Sequence, residues 1–338
     1  MTKTSTVLGA GSWGTALAVH LGSIGHEVRL WARDEGLVRE MIMRRANPTY
    51  LPDVNLPSCV TPTASLPEAL DGASFVVSAV PSHGTRDVIR AAAPAVPPGA
   101  IVVTATKGLE AGSLLRMSEV ISEEIGPAQP IVVLSGPSFA VEVARHLPAA
   151  LLVASSDARA AASAQEYFRG QHFRLYVTDD VIGVELGGAM KNVIAIAAGV
   201  VESLGLGHNA LAALITRGLA EISRLVCKLG GRRDTLAGLS GLGDLVLTCT
   251  GSLSRNRHVG IELGKGRSLE EILASMRMVA EGVRTTGAAL ALGARHGVEL
   301  PIAAQMAEVL AGRQTPQAGV RELMLRPQRA EPEADSAS

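Results

Sequence analysis

Short unbroken apolar runs alternate with amphipathic stretches along the first half of the chain. Runs at 4–9, 27–32, 75–80, 100–105, 130–135 and 149–155 are strand-length and mostly apolar. Continuous apolar runs of that length suit strands of a parallel sheet buried on both faces. The stretches between them, near 12–24, 34–45, 82–94 and 113–125, carry helical spacing. Strand–helix alternation of this kind predicts an α/β domain with a doubly wound sheet. After about Val177 the texture changes. From Asp180 onward β-branched runs become rare, and 181–203, 210–229, 269–276 and 285–296 read as helices. Pro301 ahead of 302–310 reads as the first turn of another. The expected plan is a first domain over 1–180 and an all-α second domain over 181–325. The tail 326–338, RPQRAEPEADSAS, is polar and expected to be disordered.

Composition narrows the function. A chain of 338 residues, 47% hydrophobic and 19% charged, can bury two large cores. A net charge of −1 favours neither nucleic acid nor an anionic membrane as partner. Cys59, Cys227 and Cys249 are scattered, with no metal spacing and no disulfide framework, which points to a reducing cytoplasm. The N-terminus enters a strand at once, without the basic and apolar regions of a signal peptide. The longest apolar stretches, such as 193–201, read as too short to span a bilayer, so no integral membrane association is expected.

The first apolar run leads into Gly9-Ala10-Gly11-Ser12-Trp13-Gly14, and a helical stretch follows. Strand, glycine turn and helix in that order predict a dinucleotide site of the Rossmann type; the alternative is a plain strand-to-helix turn without a ligand. Gly9 allows the turn, Gly11 lets backbone approach a pyrophosphate, and Gly14 lets helix and strand pack. The helix N-terminus then faces the phosphates. The second strand ends near Ala32, with Arg33 and Asp34 behind it. A guanidinium there suits the 2′-phosphate of NADP, whereas a carboxylate holds the ribose hydroxyl of NAD. The sequence favours NADP(H) and leaves NAD(H) possible.

Lysine is scarce: only Lys3, Lys107, Lys191, Lys228 and Lys265 occur. Lys191 sits in ELGGAMKN, in a helix apolar on nearly every side. Buried there, its pKa falls toward neutrality and it can act as the acid or base of carbonyl reduction. The alternative is a lysine that snorkels to the surface. Asn192 beside it can orient a substrate. Lys107 follows one strand, and Gly136-Pro137-Ser138 follows another; ligands bind at such C-terminal strand ends. Asp244, in GLSGLGDL, either pairs with Lys191 or caps a helix. Ser254, Arg255 and Asn256 at a helix start can cradle a phosphate or simply cap that helix.

Seven ordered segments carry a family resemblance over residues 5–323. They are GAGSWGTALA at 9–18, ATKGLE at 105–110, LSGPSFA at 134–140, ELGGAMKN at 185–192, LSGLGDLVLTCTG at 239–251, SRNRHVG at 254–260 and VAEGVRT at 279–285. Together the chain resembles the bacterial NAD(P)-dependent glycerol-3-phosphate dehydrogenases. The resemblance implies reversible reduction of dihydroxyacetone phosphate to sn-glycerol 3-phosphate, the entry to glycerophospholipid synthesis. It implies Lys191 as proton donor or acceptor; a mechanism consistent with that has Lys107 helping to polarise the substrate oxygen. It places substrate on Lys107, Gly136, Ser138, Lys191, Asp244, Ser254, Arg255 and Asn256. It places the dinucleotide on Ser12, Trp13, Arg33, Tyr50, Lys107, Ala140, Arg255, Val279 and Glu281, beside the three glycines. Val279 and Glu281 have no role on residue chemistry alone. A homodimer is expected, because an apolar helical domain can pair. Two rival readings are a ketopantoate reductase relative, which would reduce a carboxylate substrate, and a non-catalytic dinucleotide sensor.

Overall fold

A computed structural model describes residues 4–276 and 278–328. Its strands are β1 Thr4–Leu8, β2 Glu27–Trp31, β3 Ala46–Asn47, β4 Leu51–Asn55, β5 Val60–Thr63, β6 Phe75–Ser78, β7 Ile101–Thr104, β8 Ile131–Ser135, β9 Ala149–Ala154 and β10 Phe173–Thr178. Among the described residues, eight of them form one sheet in the order β10-β9-β8-β7-β6-β1-β2-β5, and β3 pairs with β4 in a small separate ribbon. The order reverses direction at β1, which opens the crevice where doubly wound sheets bind ligands.

Six strands lie where the apolar runs put them. The two outer ones escape that signal for a physical reason. β5 reads Val-Thr-Pro-Thr and sits at one edge, where a proline is tolerated. β10 alternates buried and exposed positions at the other edge. The sheet is also not wholly parallel, as the unbroken runs suggested. β9 runs antiparallel to β8 and parallel to β10. Only a five-residue helix, Ala140–Ala144, lies between β8 and β9. So short a helix does not carry the chain back across the sheet for a parallel return.

Helices cover both faces. Ser12–Ser23 and Ala158–Phe168 pack on one face with Val7, Val77 and Val103. Ser82–Ala92 and Met117–Ile125 pack on the other with Val76 and Val102. The latter helix begins four residues later than its periodicity suggested, where the Glu119 carboxylate turns back to accept the Arg116 N–H at 2.9 Å.

From residue 181 every element among the described residues is helical. Val181–Ser203 is the central one, and by length and composition it could cross a membrane after all. Instead 89% of its apolar window is buried inside the protein, with the other helices packed around it. Buried Glu185 fastens this helix to the sheet domain. It accepts the Ser118 N–H at 2.8 Å and pairs with Arg116 at 2.7 Å. Burial pushes its carboxyl up, and Arg116 opposes the shift. In the tail, Arg326 pairs with Glu299 at 3.0 Å; positions 329–338, expected to be disordered, lie outside the described residues.

Candidate active site

The glycine turn has the geometry its spacing implies. Gly9 has φ +105°, and a Cβ there would press on the backbone of Ala79. Gly14 has no room either: a side chain would overlap the Gly9 carbonyl. Gly11 differs, since a Cβ there would meet nothing within 4 Å. Gly11 is also the N-cap of helix Ser12–Ser23 and supplies no side-chain cap. The first N–H groups of that helix therefore have no side-chain cap, an arrangement that suits a pyrophosphate. The turn thus fits a dinucleotide.

Buried Asn47 braces this turn from β3. Its Nδ2 donates to the Ala10 carbonyl and to Thr15 Oγ1, both at 2.8 Å. The Ser12 hydroxyl donates to the Tyr50 carbonyl at 2.8 Å, and Met278 Sδ lies 3.0 Å from the same hydroxyl oxygen. Ser12, Tyr50 and Met278 therefore meet at the turn. The indole nitrogen of Trp13 is buried without a partner among the described residues. Ala140 opens a helix that packs against Ser12–Ser23. Asn47 and Met278 carried no sequence signal, because their role depends on long-range packing.

β2 stops at Trp31, leaving Arg33 exposed. Asp34 is otherwise engaged: its Oδ1 accepts from Gly36 N at 2.7 Å and from Leu37 N at 3.2 Å, capping helix Glu35–Arg44.

Two lysines and one carboxylate form the polar centre. Lys107 Nζ donates to Asp244 Oδ2 at 2.6 Å and to the Gly136 carbonyl at 2.7 Å. Lys191 Nζ lies 3.1 Å from Asp244 Oδ1 and donates to Thr248 Oγ1 at 2.7 Å. Thr248 in turn donates to the Asp244 carbonyl at 2.6 Å. Ser138 donates to the Gly136 carbonyl at 2.9 Å, beside Lys107. Lys191 is buried, not snorkelled. Burial lowers its pKa to about 8; Asp244 opposes that shift and Lys107 adds to it.

Local sequence explains the approach. Gly187 and Gly188 leave helix Val181–Ser203 bare where Ser240 and Ser135 come against it. Gly136 has φ +130°, which turns the chain sharply after β8. A π-helical turn, Leu239–Gly243, delivers Asp244 as the first residue of helix Asp244–Thr250. Asp244 is not that helix's N-cap, and its carboxylate is free to reach the lysines. Thr248, one turn on, was missed; its only signal was the i, i+4 spacing from Asp244.

Ser254 does cap its helix, accepting from Arg257 N at 3.2 Å. Arg255 follows it and makes no hydrogen bond or ion pair among the described residues. Crowding by protein lowers its pKa, and Glu281 opposes this. Asn256 donates to Asn192 Oδ1 at 2.9 Å, and Asn192 Nδ2 lies 3.4 Å from the Lys107 carbonyl. Lys107, Gly136, Ser138, Lys191 and Asp244 thus touch directly, with Asn256 one residue removed. Arg33 stands apart, at the far end of the dinucleotide crevice.

A Rossmann-type sheet with a dinucleotide turn, joined to a helical domain that supplies a buried lysine, defines a two-domain dinucleotide-dependent dehydrogenase. Residues 4–161 match the family described as NAD-dependent glycerol-3-phosphate dehydrogenase N-terminus, and residues 180–321 match the C-terminus of the same family. Glycerol-3-phosphate dehydrogenase [NAD(P)+] of Koribacter versatilis is 53% identical over 329 residues, covering 96% of this chain and 98% of that one. The enzyme of the same name from Citrifermentans bemidjiense is 50% identical over 333 residues, covering 98% and 99%. The crystal structure of glycerol-3-phosphate dehydrogenase from Coxiella burnetii superposes with a TM-score of 0.93 at 42% identity, covering 96% and 99%. The chain belongs to the NAD-dependent glycerol-3-phosphate dehydrogenase family. A ketopantoate reductase of Ralstonia eutropha, at 16% identity and a TM-score of 0.60, shares the fold alone.

Proposed function

We infer that this protein catalyses reversible reduction of dihydroxyacetone phosphate to sn-glycerol 3-phosphate, using NADPH or NADH, and so supplies glycerophospholipid synthesis. The observation that carries this reading is the Lys107–Asp244–Lys191 cluster at the mouth of a dinucleotide crevice, in a chain of this family. When bound, the reduced nicotinamide supplies the hydride for the ketone carbon. Lys191 holds a proton on Nζ and gives it to the developing alkoxide. Thr248 and Asp244 each take one of its N–H bonds, which fixes the direction of the third. Lys107 polarises the same substrate oxygen, and Gly136 and Ser138 close that side. The unpaired guanidinium of Arg255 takes the phosphate, with Ser254 and Asn256 beside it. Binding energy from that remote phosphate then positions the ketone.

Gly9, Gly11, Ser12, Trp13, Gly14, Tyr50, Ala140, Val279 and Glu281 line the dinucleotide, with Lys107 and Arg255 reaching its nicotinamide end. NADP(H) is the preferred form, because Asp34 is taken up as a helix cap while Arg33 is exposed. Residues 1–180 form the dinucleotide-binding domain and 181–325 the substrate domain. The protein acts in the cytoplasm as a homodimer. A single assay tests the activity: NADPH and NADH oxidation with dihydroxyacetone phosphate beside ketoacids. Turnover confined to ketoacids, or none at all, would overturn it.

A further inference from the structure

Ser82 opens helix Ser82–Ala92 directly after β6. It is buried, and neither its sequence context nor the family resemblance gives it a role. Its N–H donates to Glu281 Oε1 at 2.9 Å and its hydroxyl to Glu281 Oε2 at 2.5 Å. Both oxygens of a carboxylate from the helical domain are therefore held by one residue of the sheet domain.

The contact belongs to a closed circuit. Glu281 opens helix Glu281–His296, and the next N–H, of Gly282, donates to Asn256 Oδ1 at 2.9 Å. Asn256 holds Asn192, and Asn192 reaches the Lys107 carbonyl. Gly108 then returns the chain to Ser82: a Cβ on Gly108 would lie 2.7 Å from Ser82 Cβ and 3.2 Å from Glu281 Oε2. The circuit crosses between the domains at Ser82–Glu281 and at Lys107–Asn192. The Lys107 crossing is a long, neutral hydrogen bond. The Ser82 crossing is doubled and charge-assisted, so it is the stronger of the two.

We propose, resting on the dehydrogenase reading above, that Ser82 is a positioning residue that latches the two domains through Glu281 and thereby sets Lys107 against the Lys191–Asp244 pair. Lys107 comes from the sheet domain, whereas Lys191, Asp244, Thr248 and Cys249 all come from the helical one. Lys107 keeps its own 2.6 Å pair with Asp244 across the domains, so loosening the latch shifts the Lys107 backbone and lengthens its approach to Lys191, and leaves the other groups around Lys191 in place. Two effects follow. Substrate polarisation weakens, and Lys191 feels less of the positive neighbour that depresses its pKa.

The test compares wild type, Ser82→Ala and Ser82→Thr, with kcat and KM for dihydroxyacetone phosphate and NADPH measured across pH, and thermal midpoints alongside. Ser82→Ala is expected to lower kcat roughly tenfold, the usual effect of one lost charge-assisted hydrogen bond. Its alkaline break in kcat should move upward, and Ser82→Thr should restore both. Gly108→Ala, which crowds the Ser82–Glu281 contact from the neighbouring segment while keeping the Ser82 hydroxyl in the chain, should reproduce the lower kcat and the shifted break. A lower melting point with kcat and break unchanged makes Ser82 merely structural and overturns the proposal. A rise confined to the KM for NADPH also overturns it, since Glu281 would then serve the dinucleotide alone. Wild type without turnover of dihydroxyacetone phosphate rejects the dehydrogenase reading itself, whatever the variants do.

Discussion

The carboxylate of Asp244 reaches the ammonium of Lys191 at 3.1 Å, from the first residue of its own helix. Its other oxygen holds Lys107 at 2.6 Å. One buried negative charge therefore faces two positive ones. Asp244→Asn keeps the shape and removes the charge. Two ammonium groups then share a dry site without a counter-ion, an arrangement that costs several kcal/mol. The expected result is a loss in kcat of about 100-fold or more, with a lower thermal midpoint. Steady-state kinetics and a melting curve check both. Near wild-type turnover would remove Asp244 from the mechanism.

Lys191 titrates near the working pH. Its pKa is depressed to about 8, with burial as the main cause. Below that value Nζ carries the proton that ketone reduction consumes; above it Nζ is a base. Reduction should fall as pH rises through about 8, and oxidation of sn-glycerol 3-phosphate should rise over the same range. Paired pH profiles of kcat in both directions test this. Parallel profiles would mean that another group carries the proton. Lys191→Ala should lose nearly all turnover in either direction.

The parts of this protein written in the sequence are those set by local chemistry. Six strands, the glycine turn and the long helices follow from apolar runs, spacing and caps. Lys191 stands out because lysine is rare here and its helix is apolar. What stayed hidden depends on distant partners. Asn47 braces the glycine turn from 37 residues away, and Ser82 meets Glu281 across 199. Asp244 and Ser254 looked alike as helix caps. Only Ser254 is one, because a π-helical turn places Asp244 inside its helix rather than before it.

Gly11 and Gly14 should separate binding from folding. A Cβ at Gly11 enters open space where the pyrophosphate would lie, while one at Gly14 overlaps the Gly9 carbonyl. Gly11→Ala should raise the KM for the dinucleotide severalfold and leave the melting point unchanged. Gly14→Ala should destabilise the whole domain by a few kcal/mol, as overpacking does. Dinucleotide titration and chemical denaturation of both variants distinguish the outcomes. Equal destabilisation by the two would contradict an open cradle at Gly11.

Arg33 and Asp34 divide the work at the end of β2. Arg33→Ala should weaken NADPH and spare NADH, since only NADPH carries the 2′-phosphate. Asp34→Ala should instead cost about 1 kcal/mol of stability through the lost cap and leave the ratio of the two cofactors unchanged. Measuring kcat/KM for both cofactors in each variant is sufficient. A cofactor ratio moved by Asp34→Ala, and not by Arg33→Ala, would reverse the assignment.

His20 gives the fold an acid limit unconnected with catalysis. It is buried against Phe173, with Nε2 2.7 Å from the Phe168 carbonyl. A carbonyl only accepts, so Nε2 carries the hydrogen. Burial lowers the His20 pKa from 6.5 to about 4. The unfolded chain therefore takes up a proton first as pH falls. Stability is undiminished by this group above about pH 6.5 and declines through the window down to about 4. The full loss is about 3 kcal/mol, since each tenfold difference in proton affinity between the folded and unfolded chain is worth about 1.4 kcal/mol. Urea unfolding of wild type and His20→Gln at pH 7, 6, 5 and 4.5 isolates this contribution, because other acid-sensitive groups are common to both proteins. The gap between the two curves should shrink steadily toward pH 4.5. A gap independent of pH would show that His20 is not held neutral in the fold.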